Sequence, residues 1–454
     1  MHKNRPFLRD KLAPEQLAKF RRGHEVGKLA WELFPGGINC APAHPTQFKK
    51  SLELTRSLIA DSTPVIYEAA FQHHGVLIFL DILIKTSNGY HAYEVKSSLR
   101  ISETYLTDAA LQYNVIVGSG INSLQFSIVH LNEDYCMGKI PDIQELFNIQ
   151  NVTELIQEKQ EGILLQIEQA KESLSLKKSP PIDVGKHCYS PYPCDFLGHC
   201  WKNIPATSVF NLKGISSEKR FRWMQAGIQQ AVEIPLNDLS PTEKLIIDIH
   251  QSGKPWINAN YISQLASIKA PLLITFLSIR TAIPLFEHCK PFQDIIVGFA
   301  SKNAQGEINV FIAEPGSNPI HEVEKRLSTL FNSHQHIVYA KPESGIDLGN
   351  ILKNISTEKT FVDLAETFQP VNYYQAGIDS TASFSENLKI ILPDTTQKIA
   401  ISHTMAGVTY LEAVNKDKNS AIEMLTGYLS ENLHRLQSLY EFLINVSGED
   451  PNQV

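Results

Sequence analysis

The stretch VLIFLDILIKTSNGYHAYEVKSS, residues 76–98, decides the fold. Two apolar runs, 76–85 and 90–98, flank the turn signal Ser87-Asn88-Gly89, and this pattern predicts an antiparallel hairpin. Asp81 interrupts the first strand, and Glu94 and Lys96 stand two apart on the second. Side chains alternate along a strand, so Glu94 and Lys96 share a face, and Asp81 on the neighbouring strand can share it too. A carboxylate inside so apolar a strand is costly unless it is paired or binds a metal. Phosphodiester hydrolysis uses such a grouping: carboxylate oxygens hold Mg2+ or Mn2+, and an ammonium group orients water or offsets charge on the phosphorus. Three such residue types also recur by chance, so a structural Asp81 paired with Lys96 at a sheet edge is the other reading of the same spacing.

Working outward, VIYEAAF (65–71) reads as a strand, separated from the hairpin by His73-His74-Gly75. Upstream, residues 14–34 carry Leu17, Phe20, Val26, Leu29, Ala30 and Leu33 at helical spacing, and Pro35-Gly36-Gly37 stops that helix. A second helix fits 46–61. Downstream, a helix fits 102–117 and LQFSIVHL (124–131) is another strand. The order is helix, helix, three strands, helix, strand. Residues 142–176 are polar and helical, and 177–185, with Pro180-Pro181, reads as a connector. More helix fills 206–265. After Pro271, the runs LLITFLSI, DIIVGFA and INVFIA are strand-like and alternate with helices to about 445. The expected division is 1–205, a helical connector at 206–267, and a second domain at 268–454, all of α/β class.

At 454 residues the chain is long enough for two or three domains. A net charge of −7 and an isoelectric point near 6.2 exclude a globally basic nucleic-acid binder. Any contact with nucleic acid must use a local basic patch or cations that offset carboxylates. The N-terminal residues are charged without an apolar core, and no apolar run approaches ~20 residues, so the expectation is a cytoplasmic protein without membrane spans and with reduced thiols. Six cysteines are present. Cys188, Cys194 and Cys200 crowd into HCYSPYPCDFLGHCW (187–201) at C-x5-C-x5-C spacing. Such thiol density favours zinc, with His187 and His199 as further ligands, or an iron–sulfur cluster. A reduced trio packed beside Trp201 is the plainer alternative. Cys136 and Cys289 read as unrelated thiols in packed positions.

His24 in RRGHEVG, Glu68 in IYEAAF, Asp81 in LDIL, Glu94 and Lys96 in EVKSS, and Gln112 in DAALQY together resemble the PD-(D/E)XK nuclease superfamily, over about residues 15–202. The similarity is to its RecB-like exonuclease branch, which includes iron–sulfur members. This resemblance implies a restriction-endonuclease-like core in which His24, Asp81 and Glu94 hold the metal and Lys96 is catalytic. Glu68 would be a further carboxylate beside the metal, and Gln112 a substrate or water contact. It implies a Mg2+- or Mn2+-dependent deoxyribonuclease, an exonuclease before an endonuclease, acting on single-stranded or free-ended DNA in repair or defence. It also implies a [4Fe–4S] cluster on Cys188, Cys194 and Cys200 that pins the late cysteine segment to the core. Cys40, which follows Gly36-Gly37 in a loop, is the candidate fourth ligand, and an incomplete cluster is the alternative. Asp108 and Tyr113, beside Gln112, are expected to be ordinary helix-surface or packing residues.

The C-terminal half is similar to the fused domain of a related bacterial family, itself like a DnaQ-type (DEDD) exonuclease of ribonuclease H-like fold. The framework at Ala282-Ile283-Pro284 and Pro291-Phe292-Gln293 fits, but Ser278 and Arg280 stand where the first two acids belong. Asn432 replaces a late one, Asp363 matches another, and the remaining position falls near Tyr339–Glu343. The resemblance therefore implies a catalytically inactive domain. A chain that is wholly a non-catalytic platform for nucleic acid or protein is the rival expectation.

Overall fold

The computed structural model describes residues 1–205, 207–235, 237, 239–342, 348–393 and 401–446. Glu343, at the edge of the unplaced acidic position, lies outside the described residues. The chain is an α/β protein that divides into two compact units, one of residues 1–183 with 281–293, the other of 184–280 with 294–454. By compactness, then, the late cysteine segment goes with the second unit, and a short stretch of the C-terminal half goes with the first.

The first unit runs α1 (Pro14–Ala30), β1 (Ile38–Asn39), α2 (Phe48–Ala60), β2 (Val65–His73), β3 (Val76–Thr86), β4 (Gly89–Lys96), α3 (Glu103–Gly118), β5 (Leu124–Leu131), α4 (Ile143–Leu146), β6 (Phe147–Asn151), α5 (Thr153–Gln157) and α6 (Gln160–Ser175). Its six strands lie in sequence order in one mixed sheet. The β2–β3, β3–β4 and β5–β6 pairs are antiparallel, while β1–β2 and β4–β5 are parallel. A parallel β4–β5 pair needs a crossover, and α3 supplies it. The hairpin closes with Thr86 opposite Gly89. Gly89 has φ of 137°, and a Cβ there would meet the Ser123 carbonyl at 2.2 Å, so only glycine fits.

Both faces of the sheet are covered. On one, Ile66, Leu80, Leu83, Phe126 and Ile128 pack with Leu58 of α2, with Ala109, Ala110, Val115 and Ile116 of α3, and with Ile163 and Ile167 of α6. On the other, Tyr67, Ile82, Tyr93, Val129 and Leu131 pack with Val26 and Ala30 of α1, and with Ala282, Ile283 and Phe292 of the late stretch. Trp31 stacks on Tyr67 with ring centres 4.3 Å apart. Burying each large apolar side chain contributes ~1.5–3 kcal/mol, and these two layers anchor the strands that carry the site.

The second unit contains α7 (Leu197–Trp201), α8 (Ser217–Gln225), α9 (Pro241–Ser252), β7 (Trp256–Ile257), α10 (Ala259–Ala266), β8 (Leu272–Arg280), β9 (Asp294–Lys302), β10 (Ile308–Ile312), α11 (Ile320–Asn332), β11 (His336–Tyr339), α12 (Leu348–Ile355), β12 (Thr360–Asp363), β13 (Tyr373–Tyr374), α13 (Phe384–Ile391), α14 (His403–Glu412) and α15 (Lys418–Val446). Its main sheet has the order β10-β9-β8-β11-β12, with β8–β9 and β9–β10 antiparallel and β8–β11 and β11–β12 parallel. Strand β8 is central, buried at every position but Arg280, which is why LLITFLSI has no polar alternation. No helix among the described residues is long and apolar enough to cross a membrane.

Candidate active site

Three strands bring three acids to one level of the first sheet. Tyr67 faces Ile82 and Ala69 faces Leu80, which leaves Glu68 level with Asp81. On the other side of β3 the last regular pair is Ile82 with Tyr93, so Glu94 is the next residue opposite Asp81. The pleat changes phase at this level. Ile66 and Ala69 are three apart yet enter the same core, and so do Leu80 and Leu83. Strict alternation would put each pair on opposite faces. Glu68 absorbs the change with a left-handed φ of 53°, uncommon for a residue with a side chain. Where the β3–β4 ladder lapses, the Asp81 carboxylate takes over, accepting from the Val95 backbone N–H at 2.6 Å. That bond satisfies an amide whose loss of a partner would cost ~1–3 kcal/mol.

Lys96 lies between two carboxylates, its Nζ donating to Glu94 Oε1 at 2.8 Å and to Asp108 Oδ2 at 2.6 Å. It also sits 5.3 Å from the centre of the Tyr105 ring. Tyr105, Asp108 and Gln112 follow at helical spacing on α3, one face of which thus lines the site. Asp108, expected to be a surface or packing residue, is the neighbour of the candidate site that sequence reading missed. Its signal was the i, i+4 spacing to Gln112.

Electrostatics mark this as a crowded, partly dry cluster of like charge. Burial raises the Asp81 pKa well above the carboxylate range, and the charges of Glu94 and Glu68 add to it; the Val95 N–H opposes. Burial and the Glu94 charge raise Glu68 as well, and His24 pulls it down. Glu94 is raised by burial, with Lys96 opposing and Asp108 adding. Burial disfavours the Lys96 charge, but Glu94 and Asp108 outweigh burial and hold its pKa above that of an ordinary lysine. His24, on α1, contacts the Phe20 carbonyl through Nδ1 at 2.8 Å. A carbonyl can only accept, so Nδ1 carries the hydrogen and Nε2 is the nitrogen left for another partner.

The structure thus brings together Glu68, Asp81, Glu94, Lys96 and Gln112, while His24, exposed on α1, is linked to this group through its effect on Glu68. Among the described residues, however, no three or more His, Cys, Asp or Glu side chains are arranged as a metal site. The donor chemistry still suits a hard divalent cation. Glu94 Oε2 and Gln112 Oε1 are buried with no hydrogen-bond partner, and burial raises the pKa of Glu94 and of Asp81 beside it.

Cys40 and the three late cysteines belong to different units. Cys40 is packed in the apolar core of the first unit, where burial raises its thiol pKa and a hydrogen bond with Thr55 opposes. Its backbone N–H is taken by the Tyr67 carbonyl. Cys188, Cys194 and Cys200 belong to the second unit; Cys188 is buried and the other two are exposed. The Cys194 N–H donates to the Cys188 carbonyl at 2.8 Å.

In the second unit, Ser278 Oγ bonds His403 Nε2 at 3.0 Å, and His403 Nδ1 bonds the Tyr428 hydroxyl at 2.9 Å. All three are buried, and burial drives His403 down to about 4, so the chain is neutral. Arg280 pairs with Asp294, and Asp363 pairs with Lys341 at 3.3 Å and accepts from the Ala365 N–H. Asn432 donates to the Tyr428 carbonyl within its own helix. The chain matches no known protein family and no curated protein.

Proposed function

We propose that the first unit is a metal-dependent deoxyribonuclease with a PD-(D/E)XK-like site built on Asp81, Glu94 and Lys96. The observation that carries this reading is the buried, unpartnered Glu94 Oε2 next to Asp81 and level with Glu68, with Lys96 held beside it. An apolar sheet does not gather three acids without a counter-charge, and one ammonium does not balance them. Asp81, Glu94 and the Nε2 of His24 are the groups that would hold the ion, with Glu68 on its margin. When bound, Mg2+ or Mn2+ supplies Lewis acidity, which makes water nucleophilic at neutral pH and offsets phosphate charge.

The chain's own residues supply the rest. Lys96 keeps its proton at neutral pH and presents a fixed cation to the attacked phosphate. Glu94 and Asp108 hold that ammonium on the site rather than in solvent, and Gln112 offers an amide to water or substrate. Single-stranded or free-ended DNA as the substrate rests on the resemblance of these motifs to RecB-like nucleases.

For the second unit, the strand order and the buried Ser278–His403–Tyr428 chain support a ribonuclease H-like fold without catalysis. Clustered carboxylates for two metals are replaced there by neutral groups and an Arg280–Asp294 pair, which leaves a binding or bracing role.

The test is degradation of end-labelled single- and double-stranded DNA with Mn2+ by the full chain, by Asp81→Ala and by Lys96→Ala. Activity that disappears in both variants supports the proposal. Activity that survives both overturns it, and would move catalysis to another site in the chain.

A further inference from the structure

We propose that Cys136 and Cys289 are a redox pair that closes into a disulfide and staples the 281–293 stretch to the rest of the first unit. The argument does not depend on the nuclease reading.

Thr281–Gln293 is the β8–β9 connection and belongs to the same compact unit as residues 1–183. Its attachment centres on residue 137. The Met137 N–H donates to the Cys289 carbonyl at 2.9 Å, and the His288 N–H donates to the Met137 carbonyl at 2.7 Å. Cys136, the immediate neighbour of Met137, is therefore held beside Cys289 by backbone bonds on both sides of one residue. Both thiols are free, Cys136 exposed and Cys289 buried. Their proximity is also felt electrostatically: after burial, Cys136 is the charge that raises Cys289. Neither thiol is in the late cysteine group, so neither is committed elsewhere.

The stretch is under strain, which gives a staple something to hold. His288 and Phe292 both adopt left-handed backbone, with φ of 65° and 57°. Such residues persist only where their surroundings over-determine them. Phe292 lies under the Arg22 guanidinium at 5.1 Å, and Arg22 is on α1, the helix that carries His24. A covalent clamp at Cys289 would thus fix the segment that packs behind a candidate site helix.

The chemistry balances with a peroxide as oxidant. The exposed Cys136 thiolate attacks a peroxide oxygen; an S–O bond forms, the O–O bond breaks, and the departing hydroxide takes up a proton as water. Cys289 then gives up its proton and attacks the Cys136 sulfur, forming the S–S bond and expelling a second water. Two thiols are oxidised by two electrons and one hydrogen peroxide is reduced to two waters. The division of labour follows from exposure, since the accessible thiol meets the oxidant and the buried one resolves it.

The test uses the full chain treated with hydrogen peroxide, blocked with an alkylating reagent, digested and mapped by mass spectrometry. A peptide pair joined through Cys136 and Cys289 is expected, lost on reduction and absent from Cys136→Ser. The oxidised wild type should also melt higher than the reduced one, and Cys136→Ser should lose that shift. Because Cys136 is exposed, its serine variant tests the idea even if Cys289→Ser fails to fold. Recovery of both residues separately alkylated after peroxide, or of Cys136 joined to any other cysteine, overturns the proposal.

Discussion

Replacing Asp81 by Asn should stabilise the protein in the absence of divalent ions while abolishing its response to them. Asp81 stands level with Glu68 and Glu94. Its pKa is raised first by burial, then by Glu94, with Glu68 adding. Folding therefore favours the protonated form, and holding Asp81 ionised at neutral pH opposes folding. The sign follows from linkage: a raised carboxyl pKa contributes stability at low pH that is lost as pH climbs through the folded value. Asn keeps the oxygen that accepts the Val95 N–H and removes the charge, so relief of ~1–3 kcal/mol is expected. For a unit of ~200 residues, each kcal/mol moves the melting point by ~2–4 °C, which gives a rise of ~2–12 °C in EDTA at pH 7. The gain should shrink as pH falls toward 4, where the wild-type carboxyl is protonated too. Saturating Mn2+ should reverse the ranking, because an ion at about 1,000 times its dissociation constant adds ~4.1 kcal/mol to the protein that binds it, more than the variant gains. Differential scanning calorimetry of both proteins, with EDTA and with Mn2+, reads all four states. An Asn variant that melts lower in EDTA, or a wild type indifferent to Mn2+, would refute the counter-charge argument.

Other outcomes follow from the same geometry. Lys96→Ala should lower DNA hydrolysis by ~10²–10³-fold, as loss of one charge-stabilising group does elsewhere, with circular dichroism unchanged. Asp108→Asn removes a half-exposed partner, so stability should change by no more than ~1 kcal/mol, whereas the DNA cleavage rate should fall measurably because Lys96 loses one of its two anchors. His403 is depressed to about 4 against an ordinary value of 6.5, so the unfolded chain binds the extra proton between those values. Stability should therefore fall by up to ~3 kcal/mol as pH drops from 7 to 4, and His403→Gln should flatten that slope in urea titrations. Anaerobically purified protein lacking both iron and visible absorption near 400 nm would exclude a cluster at Cys188, Cys194 and Cys200, since such clusters absorb there.

The hairpin at 76–98 and the strand at 124–131 were readable because their apolar runs are local and the hairpin turn carries glycine. Helix α3 was readable from its apolar period. The candidate site was half readable. Glu94 and Lys96 sit on one regular strand, and alternation places them together. Asp81 and Glu68 join them only because both strands change phase, and no sequence period encodes such a break. Asp108 was missed since a half-exposed acid on a helix looks like any solvated residue until its partner is seen. Strand β6, with the sequence FNIQN, was hidden inside a polar segment that reads as helix. The Met137–Cys289 contact had no local signal at all, because it joins residues far apart in the chain.

That last contact also bears on how the protein is made. The sheet face that carries Tyr67, Ile82 and Tyr93 takes part of its cover from Ala282, Ile283 and Phe292. At ~5–20 residues per second, a ribosome that has just released β5 needs many seconds more to deliver those side chains. Until then the nascent first unit bears an uncovered apolar strip, open to chaperones and to sticking. A fragment truncated near residue 205 would retain that strip permanently, so its poor solubility would speak of missing cover rather than of a wrongly drawn nuclease core.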